Sequence, residues 1–192
     1  MPLVQGPHLD LLLEAIATEG RGQRALLDGD ERGARTAMRD AAQLYRESWE
    51  VAPPASFGRL IGMLKAAVIA GDASAEATYA RVEIPADAQS APASYARAIV
   101  ALVQRDDATA AADAAGMRNG SPAFERAADA IVALAAHDAP RYAAAVSAIV
   151  ADFEQRDEHL TGVPIADTAL MLERFAQARG IAARPASALL PR

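Results

Sequence analysis

The stretch Leu26-Leu27-Asp28-Gly29-Asp30 ends one apolar helix and begins another within five residues. An aspartate at such a start satisfies orphan N–H groups of the new helix, in a turn tight enough to fold the two helices antiparallel. Comparable junctions stand at Val68-Ile69-Ala70-Gly71-Asp72, Leu102-Val103-Gln104-Arg105-Asp106-Asp107 and Leu134-Ala135-Ala136-His137-Asp138. With Asp30, Asp72, Asp107 and Asp138 taken as helix starts, the intervals are 42, 35 and 31 residues, a range that brackets helix–turn–helix repeats. The expected fold is all-α. Antiparallel helical hairpins stack as an irregular right-handed superhelix or a compact helical array, in a single domain over residues 1–192.

Proline marks the same boundaries. Pro53 and Pro54 close a helix running from about Asp30 to Val51, and Ser90-Ala91-Pro92 opens the next block. Asn119-Gly120-Ser121-Pro122 reads as a junction with a left-handed cap, a serine N-cap and a proline in the first turn. Pro140 and Pro164 repeat the start signal, and Gly180 ends the last long helix just after Arg179, a cation suited to the helix dipole. Between these points the apolar residues recur at helical spacing. Tyr142, Val146, Ile149 and Phe153 form one stripe; Met38, Ala41, Tyr45, Ser48 and Trp49 a second; Phe57, Leu60, Ile61, Leu64 and Val68 a third. The segment 82–91 fits the pattern least and is a candidate joint between two halves.

Composition agrees. The apolar fraction is 52%, much of it alanine, which favours thin, closely packed helices, and no stretch alternates as a half-buried strand must. With no cysteine there is no disulfide, thiol nucleophile or cysteine-bound metal. The net charge of −6 opposes general affinity for nucleic acid. Of the 19 basic residues only Lys65 is lysine, a bias read here as genome composition. Met1–Asp10 lacks the features of a signal peptide, and no apolar run reaches about 18 residues, so no membrane association and a cytoplasmic location are expected.

The Gly-Asp turn, the small residues after it and the spacing resemble tetratricopeptide-like repeats over roughly residues 8 to 160, although the Trp-x-x-Leu-Gly opening is absent. That resemblance implies stacked helix pairs that present a surface to a protein or peptide. The end of the chain, from Thr161-Gly162-Val163-Pro164 through Ala176-Gln177-Ala178-Arg179-Gly180 to Ser187-Ala188-Leu189-Leu190-Pro191, is similar to the C-terminal end of some all-helical bacterial toxin-immunity proteins. It implies an acidic surface that sequesters a basic target.

Several residues are site candidates. Asp152, Glu154, Asp157, Glu158 and His159 form an acidic cluster, with Asp152 and His159 two turns apart on one helix face as weak metal ligands. Gln155 and Arg156 stand between them, and the cation opposes a metal. Arg32, Arg35, Arg39 and Arg46 make a stripe that could meet an acidic partner, but six arginines and six acids alternate between Arg21 and Glu50. Tyr45, Trp49 and Phe57 would make a partner-binding patch if their hairpin tip is exposed, and core if it is not. No catalytic or phosphate-binding motif occurs. The expected function is therefore a non-catalytic interaction module, with a toxin-immunity protein or a carboxylate-based or metal-assisted enzyme using Asp152, Glu154 and His159 as alternatives. No cofactor is expected. A protein or peptide partner is, and a homodimer is compatible with the alanine-rich faces.

Overall fold

The computed structural model describes residues 6–191, so the first half of the stretch Met1–Asp10 and the last residue lie outside the described residues. Among the described residues nine α-helices follow one another: α1 Pro7–Leu27, α2 Glu31–Glu50, α3 Gly58–Ala70, α4 Ser74–Glu83, α5 Ala91–Val103, α6 Asp107–Gly116, α7 Pro122–Ala135, α8 Ala139–Glu154 and α9 Asp167–Ala178. A short 3-10 turn, Met117–Asn119, links α6 to α7. There is no strand among the described residues, and no described helix is long and apolar enough to cross a membrane.

Three of the four expected aspartate junctions share one backbone design. Gly29, Arg105 and His137 take positive φ angles of 79°, 60° and 53°. The following N–H groups of Asp30, Asp106 and Asp138 then reach back to the carbonyls of Ala25, Ala101 and Ala133 at 2.8, 2.9 and 3.0 Å. This six-to-one closure satisfies carbonyls at the end of one helix. The same aspartates' carboxylates accept from the N–H groups of Gly33, Thr109 and Arg141 at 2.9, 3.0 and 3.1 Å, which caps the next helix. The third start is thus Asp106 and not Asp107. The left-handed residue is Arg105, so the cap falls immediately after it, and Asp107 becomes the first helical residue with its carboxylate available elsewhere. The fourth junction is looser. Gly71 adopts φ 100°, Asp72 accepts from Ser74 N–H at 3.1 Å, and α4 begins only at Ser74.

The Asn119–Pro122 junction also departs from expectation. Gly120 lies at φ −97° in extended backbone, and Ser121 occupies the N-cap position without a side-chain hydrogen bond. The 3-10 turn has already reversed the chain, so no left-handed residue is needed.

The helices pack as sequential antiparallel pairs, α1 on α2 on α3 and α5 on α6 on α7 on α8, with α3 against α5 joining the two series. The last helix, α9, lies on α3, α7 and α8 and ties the series together. One continuous core runs from Ala15 to Ala176, and many of its members are alanines that let helix backbones approach. The stripe Tyr142, Val146, Ile149, Phe153 is wholly buried. Met38, Ala41, Tyr45 and Ser48 are buried on α2. Segment 84–90 connects α4 to α5 with Ile84 in the core, and Arg97 holds it by donating to the Ala88 carbonyl at 2.8 Å. Beyond α9, Leu189 accepts from Ala166 N–H at 2.9 Å, which folds the tail back over the start of that helix.

Candidate functional site

Where α1, α3 and α9 meet, the core is not apolar. Helix α3 reads Gly58-Arg59-Leu60-Ile61-Gly62-Met63-Leu64-Lys65-Ala66-Ala67-Val68-Ile69-Ala70, an apolar run with one charge in its middle. That charge is Lys65, whose side chain is 13% exposed. Its ammonium donates to Asp167 at 2.5 Å and to Thr168 at 3.1 Å, both in the first turn of α9, where the helix dipole favours a carboxylate. Burial alone pushes the Lys65 ammonium down, but Asp167, Tyr95 and Glu19 together hold it above the usual lysine range. Lys65 is therefore a fixed positive charge.

Helix α1 contributes Glu19 and Gln23, four residues apart on its buried face. Glu19 accepts from Tyr45 Oη at 2.6 Å and from Gln23 Nε2 at 3.1 Å, and Gln23 in turn accepts from the Thr161 hydroxyl in the α8–α9 loop. Tyr45 can lie across α3 because the facing residue is Gly62, where a Cβ would stand 2.8 Å from the tyrosine ring. Burial first, and the Asp167 charge second, raise the Glu19 carboxyl above its usual range; Lys65 and the two hydrogen bonds offset this only in part. A raised folded value means that Glu19's contribution to stability is complete below the unfolded value of 4.5 and is lost as pH rises through the folded one. Replacing Glu19 by glutamine is accordingly expected to raise stability at pH 8 by on the order of 1–2 kcal/mol. At pH 4 the gain is expected to vanish. Urea denaturation at the two pH values measures both; an equal effect at each would contradict the assignment.

Two clefts adjoin this network and share Lys65, Asp167 and Leu160. The first, of about 240 Å³, has Tyr95, Phe124, Phe153, Val163 and Ile165 in its walls. The second, of about 270 Å³, has Leu12, Ile16 and Ile61 beside Arg59 and Tyr45. Leu160 stands at the rim of both and is 76% exposed, among the largest apolar exposures of the described residues. In the first cleft Arg156 lies 3.7 Å over the Phe153 ring, and the His159 ring tilts against the same phenylalanine at 6.1 Å.

The polar atoms of the first cleft are incompletely used. Tyr95 Oη and His159 Nδ1 are buried without a hydrogen-bond partner among the described residues. Native proteins rarely leave such atoms orphaned, because each costs about 1–3 kcal/mol. Burial first, and the Asp167 charge with it, push the Tyr95 hydroxyl up against the lowering influence of Lys65 and of the neighbouring Thr168 hydroxyl. It therefore stays protonated, with Thr168 as a polar neighbour and without a well-formed hydrogen bond. Replacing Tyr95 by phenylalanine is therefore expected to leave the unfolding free energy unchanged or to raise it by about 1 kcal/mol, since the ring packs as before and only the poorly formed contact with Thr168 is lost. A loss above about 1 kcal/mol in thermal or urea unfolding would show that the hydroxyl has a structural partner.

The residues singled out in the sequence lie elsewhere or act differently. Tyr45 and Phe57 are core, at 2% and 5% exposure. Trp49 is half-buried, stacked on Phe57 at 5.7 Å, with its indole N–H donating to Glu83 at 3.0 Å. The three do not form an exposed aromatic patch, because Tyr45 is enclosed by α1 and α3, Phe57 is buried, and Trp49 is tied to α4 through Glu83. Arg32, Arg35 and Arg39 are exposed on α2 and make no ion pair among the described residues; Arg46 pairs with Glu50 at 3.0 Å. Asp152 is clamped between Arg126 and Arg156. Although burial raises it, those hydrogen bonds hold its carboxyl below the usual range. Its neighbours Glu154, Asp157 and Glu158 are exposed. His159 is off the helix, in the α8–α9 loop, facing the Lys65 cleft and not Asp152. No group of three His, Asp or Glu residues is placed to hold a metal ion among the described residues.

The sequence signal for this site was Lys65 itself, a lone lysine inside an apolar helix that composition had explained away. The chain is thus an all-α array with a polar-floored, apolar-walled cleft where its two helical series meet. Compared with known protein families, with curated proteins and with solved structures, it matches none.

Proposed function

We propose that the protein is a non-catalytic, tetratricopeptide-like binding module, and that the paired cleft around Lys65 receives a segment of its partner. The observation that carries this reading is the pair of orphaned atoms, Tyr95 Oη and His159 Nδ1, in the wall of one cleft. Their cost is recovered when a ligand supplies the missing partners. The exposed Leu160 at the shared rim adds apolar area that a bound segment would cover. Catalysis is disfavoured by the state of Lys65. A nucleophilic or basic lysine needs a lowered pKa, whereas this one is raised and held by Asp167 and Thr168.

The test is a screen of short acidic, neutral and basic peptides against the amide spectrum of the isotope-labelled protein. Shifts converging on Lys65, Tyr95, Leu160 and Thr168, with the peptide recovered chemically unchanged, are expected. Shifts that gather on another face, or a peptide that is converted, would overturn the reading.

A further inference from the structure

The geometry points to the ligand class: the first cleft takes the C-terminal carboxylate of a peptide that ends in an apolar residue, with the preceding residue in the second cleft. This rests on the binding role proposed above and makes it specific. Apart from His159 Nδ1, whose role follows its tautomer, the free hydrogen-bonding capacity of the first cleft is that of donors. Lys65 has three N–H groups and uses two, on Asp167 and Thr168. Gln23 uses one amide N–H on Glu19, and the Tyr95 O–H, beside Thr168, makes no well-formed hydrogen bond among the described residues. The nearby acceptors are already occupied: Asp167 receives Lys65 and Thr168, and Gln23 Oε1 receives Thr161. A ligand that completes this set must bring acceptors.

Charge points the same way. On a chain of net charge −6, the clefts gather three cations, Lys65, Arg156 and Arg59, against two carboxylates, Asp167 and Glu19. Lys65 is paired with Asp167 and Arg156 with Asp152 outside the cleft, which leaves Arg59 as the cation without a carboxylate partner among the described residues. Arg59 donates to Ser48 at 2.8 Å and has no carboxylate within 4.0 Å among the described residues. The second cleft therefore offers a further donor beside its apolar wall, suited to the carbonyl-bearing chain that precedes a terminus. At about 240 Å³ the first cleft is below the range of roughly 300–1,000 Å³ usual for drug-sized ligands, so it fits one side chain and its carboxylate. The aromatic and branched walls supplied by Phe124, Phe153, Val163 and Ile165 select an apolar side chain there. Capture of a terminal carboxylate by converging donors is a known mode of peptide recognition.

The experiment is calorimetric titration of the full chain with three probes: N-acetyl-Leu-Leu with a free carboxylate, the same dipeptide as its C-terminal amide, and 4-methylpentanoate. The free-carboxylate dipeptide is expected to bind at least tenfold more tightly than the amide and more tightly than 4-methylpentanoate. Tyr95→Phe is expected to weaken the free-carboxylate dipeptide fivefold or more without lowering the melting temperature. Equal binding of acid and amide would overturn the carboxylate while leaving the cleft a binding site. Equal binding of 4-methylpentanoate and the dipeptide would overturn the peptide in favour of a small free acid. If none of the three binds, the proposed ligand class fails, and the spectral screen above decides separately whether the cleft binds anything.

Discussion

Replacing Lys65 by methionine is expected to cost the fold about 3–5 kcal/mol, the range for removing one partner of a buried ion pair. Methionine fits the space of the aliphatic stem, so the loss is electrostatic and not a packing defect. Two carboxylates would be left facing each other across the former ammonium: Asp167, 17% exposed, and Glu19, 3% exposed. Their mutual repulsion is already visible as the influence of Asp167 on the raised Glu19 carboxyl. Adding Asp167→Asn to the methionine variant is expected to recover most of the lost stability, because removing both charges of a buried pair is far less costly than removing one. A double-mutant cycle in urea measures the coupling; two independent, additive losses would contradict the pairing.

Arg179→Ala is expected to cost about 2–3 kcal/mol, less than a fully buried pair because Asp107 is 24% exposed. The arginine side chain itself is 5% exposed and donates to Asp107 at 2.5 and 3.1 Å and to the Leu102 carbonyl at 3.2 Å. One guanidinium thus joins the C-terminal end of α5, the N-terminal end of α6 and the last turn of α9. Its hydrogen bonds, with a smaller contribution from His137, hold the Asp107 carboxyl below the ordinary aspartate range. A depressed value means stability that is present above about pH 4 and is lost as pH falls through the folded value. The gap between the alanine variant and the parent should accordingly be widest at neutral pH and close in acid. Thermal unfolding from pH 7 to pH 2.5 follows it, and a gap that stays constant would show that Asp107 is not the partner that matters.

These two residues also show how far the sequence could be read. The junctions were legible because their chemistry is local: a left-handed residue, then an aspartate within reach of an N–H three residues on. Even the misplaced start at Asp107 was an error of one position, made where two aspartates adjoin and only the φ of Arg105 decides between them. The role of Arg179 was half legible. Its place at a helix end was read correctly, but its partner Asp107 is 72 residues away.

The Lys65 cleft was not legible, and distance explains why. Asp167 lies 102 residues from Lys65, and Thr161 lies 138 residues from Gln23, so nothing in their spacing joins them. What joins them is α9 docking on α3, a tertiary event with no sequence motif of its own. The aromatic cluster failed as a surface for a related reason. Helical spacing gives the face on which Tyr45, Trp49 and Phe57 sit, but not which neighbours cover it: α1 and α3 enclose Tyr45 through Glu19 and Gly62, and α4 reaches Trp49 through Glu83.

Because Lys65 is the only lysine of the chain, a sample labelled with carbon-13 at the lysine ε position gives a single side-chain signal from the floor of the cleft. Titration of that sample with N-acetyl-Leu-Leu is the most direct test of the cleft as a carboxylate-binding site. The signal is expected to move saturably with the free-carboxylate dipeptide, to need a higher concentration in the Tyr95→Phe protein, and to respond weakly to the C-terminal amide. A signal that stays put at concentrations where calorimetry shows binding, or that moves equally with acid and amide, would contradict it.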